Sequence, residues 1–110
     1  MLTDSIYVRA DVEDDLLTVE ILGEIDHHGA RPMREEIDRL LYLYRPKTLI
    51  ISLKHVSFMD SSGLGLILGR FRKCTEAGCK FKLVNPGEKT LKILRMAGVD
   101  KLIKVESIEI

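Results

Sequence analysis

Along most of this chain, runs of strand length alternate with apolar helical stripes, and that order constrains the fold more than any other feature. Ile6, Val8, Ala10 and Val12 alternate with Tyr7, Arg9 and Asp11; Leu17, Val19 and Ile21 alternate with Thr18 and Glu20. A period of two marks a half-buried strand, and the polar turn Glu13-Asp14-Asp15 between the runs predicts a hairpin ended by Gly23. The period then lengthens. Met33, Ile37, Leu40, Leu41 and Tyr44 recur at helical spacing, with Asp26 as a candidate cap, Pro32 suited to a first turn and Arg45-Pro46 as a stop. Thr48–Leu53 is short and almost continuously apolar, the pattern of a strand covered on both faces. A loop from Lys54 to Asp60 leads to a second stripe, Leu64, Ile67, Leu68 and Phe71, with Arg70, Arg72 and Lys73 on its polar side and Gly78 at its end. Phe81–Val84 predicts a strand and Asn85-Pro86-Gly87 a turn. Leu91, Leu94 and Ala97 form a short helix ending at Gly98, and Leu102–Val105 is the last strand.

The order ββαβαβαβ predicts an α/β fold with a mixed, mostly parallel sheet and crossover helices. At 110 residues the chain is one domain, 1–110, with its core over about residues 6–105. Hydrophobic residues are 45%, enough for a core, which argues against disorder. Lys+Arg and Asp+Glu are both 17, a balance that excludes a strongly basic nucleic-acid binder. The charge is unevenly distributed. Residues 1–44 hold 11 acids and 4 bases (−7), and residues 45–110 hold 6 acids and 13 bases (+7). Either surface charges have drifted apart along the chain, or the folded surface is dipolar and orients a charged partner.

Cys74 and Cys79 are the only cysteines. Their spacing completes no zinc site, and five residues around a helix end is a poor geometry for a bridge, so the expectation is two reduced thiols and no metal. No basic region followed by an apolar stretch opens the chain, and no apolar run approaches a membrane span. These features predict a cytoplasmic protein that does not engage a membrane.

The least core-like segment is Phe58-Met59-Asp60-Ser61-Ser62-Gly63-Leu64-Gly65. It leads into a helix carrying Gly63, Gly65 and Gly69, although each helical glycine costs about 1 kcal/mol relative to alanine. In the structural reading, Asp60 or Ser61 is an ordinary cap and the glycines pack against the sheet. Three enzymatic readings fit poorly. Gly63-x-Gly65-x-x-x-Gly69 lacks the strand spacing and acidic residue of a dinucleotide fingerprint. Asp60-Ser61-Ser62-Gly63 is not a nucleophile elbow. Asp26-His27-His28 lacks the further acidic motifs of a metal-dependent phosphoesterase, and His55 stands alone.

That segment, with Leu22-Gly23-Glu24-Ile25-Asp26-His27-His28 upstream and Met96-Ala97-Gly98-Val99 downstream, resembles the anti-sigma factor antagonists of the STAS class. The D-H-H segment is most similar to their sporulation branch, which antagonises the anti-sigma F factor. The resemblance runs from about Ile6 to Val105. It departs where family members continue into a C-terminal helix, which the ending Glu106-Ser107-Ile108-Glu109-Ile110 makes short or absent. The resemblance implies a single STAS domain that is no enzyme and needs no cofactor. Its partner would be an anti-sigma factor that is also a serine kinase, bound by the unphosphorylated form so that the sigma factor is released. Ser61 would be the phosphoacceptor, reset by a serine phosphatase. Asp26, His27, His28, Met59, Asp60, Ser62, Gly63, Leu64 and Gly65 would form the partner surface. The alternatives are a nucleotide-binding module and a STAS module of a stress-response pathway.

Elementary electrostatics is compatible with such a switch. A phosphoryl group on Ser61 adds about −1.5 to −2 charges. A helix N-terminus favours it by roughly 0.3–2 kcal/mol. One charge pair with Asp60 at ~5 Å opposes it by about 3 kcal/mol, less when solvated. The fold should survive modification, whereas burying the dianion beneath a partner without a cation would cost several kcal/mol.

Overall fold

A computed structural model describes residues 2–109; Met1 and Ile110, the last residue of the ending discussed above, lie outside the described residues. The elements run β1 (Leu2–Asp4), β2 (Val8–Glu13), β3 (Leu16–Ile21), β4 (Gly23–Ile25), α1 (Ala30–Tyr44), β5 (Thr48–Ser52), β6 (Val56–Met59), α2 (Ser61–Glu76), β7 (Lys80–Val84), α3 (Glu88–Met96), α4 (Val99–Leu102) and β8 (Lys104–Glu106). Six strands form one mixed sheet in the order β1-β2-β3-β5-β7-β8. The β1, β2 and β3 pairings are antiparallel; β3, β5, β7 and β8 pair in parallel. The predicted hairpin is present, with Glu13 opposite Leu16 and Asp14 in the left-handed region at φ 54°.

The alternation in the sequence sets the layers. Helices α1 and α2 touch each other and lie on the sheet, α1 against β2 and β3, α2 against β7. Between them and the sheet lie Val8, Ala10, Leu17, Val19, Ile21, Leu49, Ile51 and Leu83 on the strands, with Met33, Ile37, Leu40, Leu66 and Ile67 on the helices. The opposite face is less covered. Leu16, Thr18, Glu20, Thr48 and Ile50 are only half-buried, whereas Ser52 on the same face of β5 is fully buried, so β5 is enclosed on both faces at its C-terminal end and only partly before it.

Several expectations need correction. The stretch read as a loop from Lys54 contains β6, which pairs in parallel with β4 as a separate two-stranded sheet. These strands are three and four residues long, too short for a periodic signal. Ile6 precedes β2 and is exposed; Leu102 is exposed on α4, not part of the last strand. On α2 the buried face is Gly63, Leu66, Ile67, Arg70 and Cys74, whereas Leu68 is exposed. The stripe is therefore turned toward Arg70, the residue read as polar surface. Arg70 and Lys73 meet Asp38 of α1, and Lys47 meets Asp15, so ion pairs join the acidic and basic halves of the chain.

Cys74 and Cys79 form a disulfide, contrary to the expectation of separate thiols. The reason is the helix end. Gly78 takes φ +75°, its N–H bonds to the Thr75 carbonyl at 3.1 Å, and the Cys79 N–H reaches back to the Cys74 carbonyl at 2.8 Å. This is a Schellman turn, which brings its first and sixth residues together. The cysteines occupy those two places, with Cα atoms 4.7 Å apart, inside the bridging range.

At its other end α2 approaches β6 closely. A Cβ on Gly63 would overlap Cγ of Met59, lie 2.7 Å from its sulfur and 3.3 Å from Cγ2 of Ile25. A Cβ on Gly65 meets nothing within 4 Å. Alanine at the two positions should therefore act in opposite directions. Gly63→Ala should destabilise the fold by about 1–3 kcal/mol through overpacking. Gly65→Ala should gain up to about 1 kcal/mol of helix propensity. Urea denaturation of both variants checks this; equal effects would contradict the close approach at Gly63.

Candidate functional site

The site grows from the small β4–β6 sheet. Glu24 is registered with Phe58 and Ile25 with Met59, and the Asp60 N–H bonds to the Ile25 carbonyl at 3.3 Å. Parallel neighbours end at the same side, so the segments that follow them emerge together: Asp26-His27-His28 after β4, Asp60-Ser61-Ser62 after β6. The two segments that the resemblance assigns to one surface are therefore neighbours, carried by these two short strands.

Each segment is fixed by an aspartate. Asp60 is extended, at φ −113°, and caps α2 by accepting the Ser62 N–H at 2.8 Å. Its carbonyl accepts the Gly63 N–H at 3.0 Å. Asp26 accepts the N–H groups of His28 at 3.0 Å and Gly29 at 2.8 Å. It thus closes the turn before α1, while Gly29 takes the cap position itself. The Gly29 hydrogen bond is the main cause that holds the Asp26 carboxyl below its ordinary value; the His28 N–H and the two histidines add to it, and burial opposes it.

Ser61 is the first residue of α2, exposed, and its hydroxyl makes no hydrogen bond among the described residues. Ser62 is half-buried and faces the groove between α2 and α1. His27 and His28 are exposed with ring centroids 4.0 Å apart. Gly65 is exposed and Leu64 is half-buried against the core. Met59 and Gly63 are buried beneath this surface and hold it in place. Three further surface features were not assigned to the site from the sequence. Phe58, half exposed at 50%, and Met96, at 79%, are uncovered on β6 and on α3, which packs against β6. Arg31 and Arg34 of α1 line the same groove as His27 and Ser62, together with Arg70. The three-residue spacing of Arg31 and Arg34 at a helix start is the one signal of this in the sequence. Among the described residues, no three His, Cys, Asp or Glu side chains stand where they could hold a metal ion, and no helix is long and apolar enough to cross a membrane.

The depressed Asp26 carboxyl carries a pH signature. A group whose folded pKa lies below its unfolded value contributes stability above the unfolded value and loses it as pH falls through the folded one. The stability gap between the parent and Asp26→Ala should be constant near neutrality and narrow as pH falls below 3.8. Denaturation midpoints as a function of pH check this; a gap that widens in acid would contradict the hydrogen-bonded turn.

Comparison with known proteins agrees with this architecture. The chain is 32% identical over 95 residues to an anti-sigma F factor antagonist of Paenibacillus polymyxa, covering 86% of this chain and 81% of that one. It is 32% identical over 102 residues to an anti-sigma-B factor antagonist of Bacillus subtilis, covering 91% and 92%. Among solved structures it superimposes on the anti-sigma factor antagonist SpoIIAA in its unphosphorylated form, with a TM-score of 0.76 and 28% identity over 89% of this chain and 86% of that one. The phosphorylated form of SpoIIAA from Bacillus matches with a TM-score of 0.70 and 28% identity over 89% of each chain. The STAS domain family matches residues 7–109. With the mixed sheet, the capped α2 and the adjoining turn in place, the chain belongs to the STAS domain family.

Proposed function

We propose that this protein is an anti-sigma factor antagonist controlled by phosphorylation of Ser61. It is a regulatory binding protein of the cytoplasm rather than an enzyme. The observation that carries the proposal is the exposed, unbonded hydroxyl of Ser61 on the first turn of α2, held by the Asp60 cap beside the His27-His28 turn. A kinase needs such a hydroxyl, and the surrounding surface offers a partner a continuous footprint: Asp26, His27, His28, Asp60, Ser62, Leu64 and Gly65 above the buried Met59 and Gly63. The partner is an anti-sigma factor that is also a serine kinase, and a serine phosphatase resets the switch. The similarity to proteins named as antagonists, one of them solved in a phosphorylated form, supports the reading. The Asp26-His27-His28 turn favours the sporulation branch. A second reading, the stress-response branch, is favoured by the similarity to the Bacillus subtilis sigma-B antagonist over 92% of its length.

The modified form tolerates its charge because Ser61 faces solvent at a helix N-terminus; a covering partner does not. Incubation with the cognate anti-sigma kinase and ATP, followed by mass spectrometry, should place the phosphoryl group on Ser61. Ser61→Ala should bind the kinase and never be released by modification. Ser61→Asp should fold normally and bind at least tenfold more weakly, a loss of about 1.4 kcal/mol or more. Phosphate on Ser62, or unchanged affinity of a folded Ser61→Asp, would overturn the proposal.

A further inference from the structure

Cys74 lies in the last turn of α2 and Cys79 directly before β7. The turn between them stands without its bridge. The Gly78 N–H bonds to the Thr75 carbonyl at 3.1 Å and the Cys79 N–H to the Cys74 carbonyl at 2.8 Å, which already brings the two Cα atoms to 4.7 Å. A bridge restricts the unfolded chain least when the loop it closes is short, and here the sequence separation is 5. The bridge is therefore a weak staple. The open form is provided for as well. The Lys80 carbonyl oxygen lies 3.3 Å from both sulfurs and accepts a hydrogen bond from either thiol once the bridge is broken. Both cysteines line a groove of about 630 Å³ between the C-terminal halves of α1 and α2. Cys79 is the more open of the two, 9% exposed against 1% for Cys74. Arg45 and Lys73 border the groove together with Asp38 and Glu76, so it presents both signs of charge.

We infer that Cys74 and Cys79 are a reversible thiol–disulfide couple, opened and closed by exchange with a low-molecular-weight thiol that enters this groove. In the reducing direction, the thiolate of the small molecule attacks the Cys79 sulfur, forms a mixed disulfide there and expels the Cys74 thiolate, which is protonated. A second small thiolate attacks the small-molecule sulfur of that mixed disulfide, releasing the small-molecule disulfide and the Cys79 thiolate, which is protonated in turn. One protein disulfide and two small thiols thus give a protein dithiol and one small-molecule disulfide, with two electrons transferred to the protein. The reverse sequence closes the bridge. The groove selects the class of thiol: a zwitterion with carboxylates and an ammonium group, such as glutathione, finds a partner for each sign. The sensing role rests on the cytoplasmic reading proposed above, since bridges formed in that compartment are usually transient and redox-active; the exchange chemistry does not. Helix α2 has 16 residues, a length of about 24 Å, so the couple lies at the end opposite Ser61 and leaves the partner surface free.

The test is equilibration of the full chain in mixtures of reduced and oxidised glutathione over a wide range of ratios, followed by acid quenching, N-ethylmaleimide labelling and intact-mass spectrometry. The expected result is reversible conversion between a species with no label and a species with two, both populated inside that range, with the same circular dichroism spectrum at its two ends. In oxidised glutathione, Cys74→Ser, which lacks the resolving thiol, should collect a glutathione adduct on Cys79 about tenfold faster than Cys79→Ser collects one on the more buried Cys74. A bridge that persists in excess reduced glutathione, thiols that both stay free in oxidised glutathione alone, or loss of the fold on reduction would overturn the inference. Equal adduct rates in the two folded variants would overturn entry at Cys79. None of these outcomes requires the anti-sigma partner, so failure here is distinct from failure of the phosphorylation switch.

Discussion

The side chain of Met59 fills the space that a Cβ on residue 63 would need, and the site depends on that contact. Gly63 lets the start of α2 descend onto β6, where Met59 and Ile25 lie side by side on paired strands. A larger residue would lift the helix start away from the β4–β6 sheet. The Asp60 N–H would then lose the Ile25 carbonyl, and the two aspartate-fixed segments would no longer emerge together. A glycine unfavourable to the helix by about 1 kcal/mol thus creates a rigid edge from which Ser61 projects. Its neighbour Gly65 has open space around it and leaves the surface flat.

Farther along α2, Arg70 ties the same helix to α1 through Asp38. A buried ion pair is weak evidence for stability, because desolvation offsets most of the Coulomb attraction. Here the two partners lie 2.8 Å apart with Arg70 only 4% exposed, so removing Asp38 would leave the Arg70 charge buried and unpaired. Arg70 lines the same groove as Ser62, next to the proposed partner surface. The acidic and basic halves of the sequence meet at this pair, so folding cancels part of their asymmetry instead of displaying all of it.

Much of the fold was legible because it is written in period. The β2–β3 hairpin, the α1 stripe and the alternation behind the parallel strands all follow from spacing, and the Asp60-Ser61-Ser62-Gly63 segment stood out by its chemistry. What was not legible depends on contacts distant in sequence. Strands β4 and β6 are too short to show a period and exist by pairing with each other. Arg70 reads as surface by residue type, and only Asp38 on another helix reveals that it is buried. Leu68 reads as core and is exposed because close approach at Gly63 fixes which face of α2 meets the sheet. The disulfide was not legible because five residues around a helix end read as a poor geometry for a bridge; the left-handed Gly78 turns the chain back so that the two cysteines meet. At the site, the aspartates and serines were found by type and the arginine groove was not, since its residues come from two helices.

One surface, built from the β4–α1 turn and the first turns of α2, is proposed to receive the partner. Amide shift perturbation on adding the unlabelled cognate anti-sigma kinase to labelled protein tests this most directly. The expected changes concentrate at His27, His28, Ser61, Ser62 and Gly65. Changes confined to β7 around Lys80–Lys82 and to α3, with the α2 start unperturbed, would contradict it.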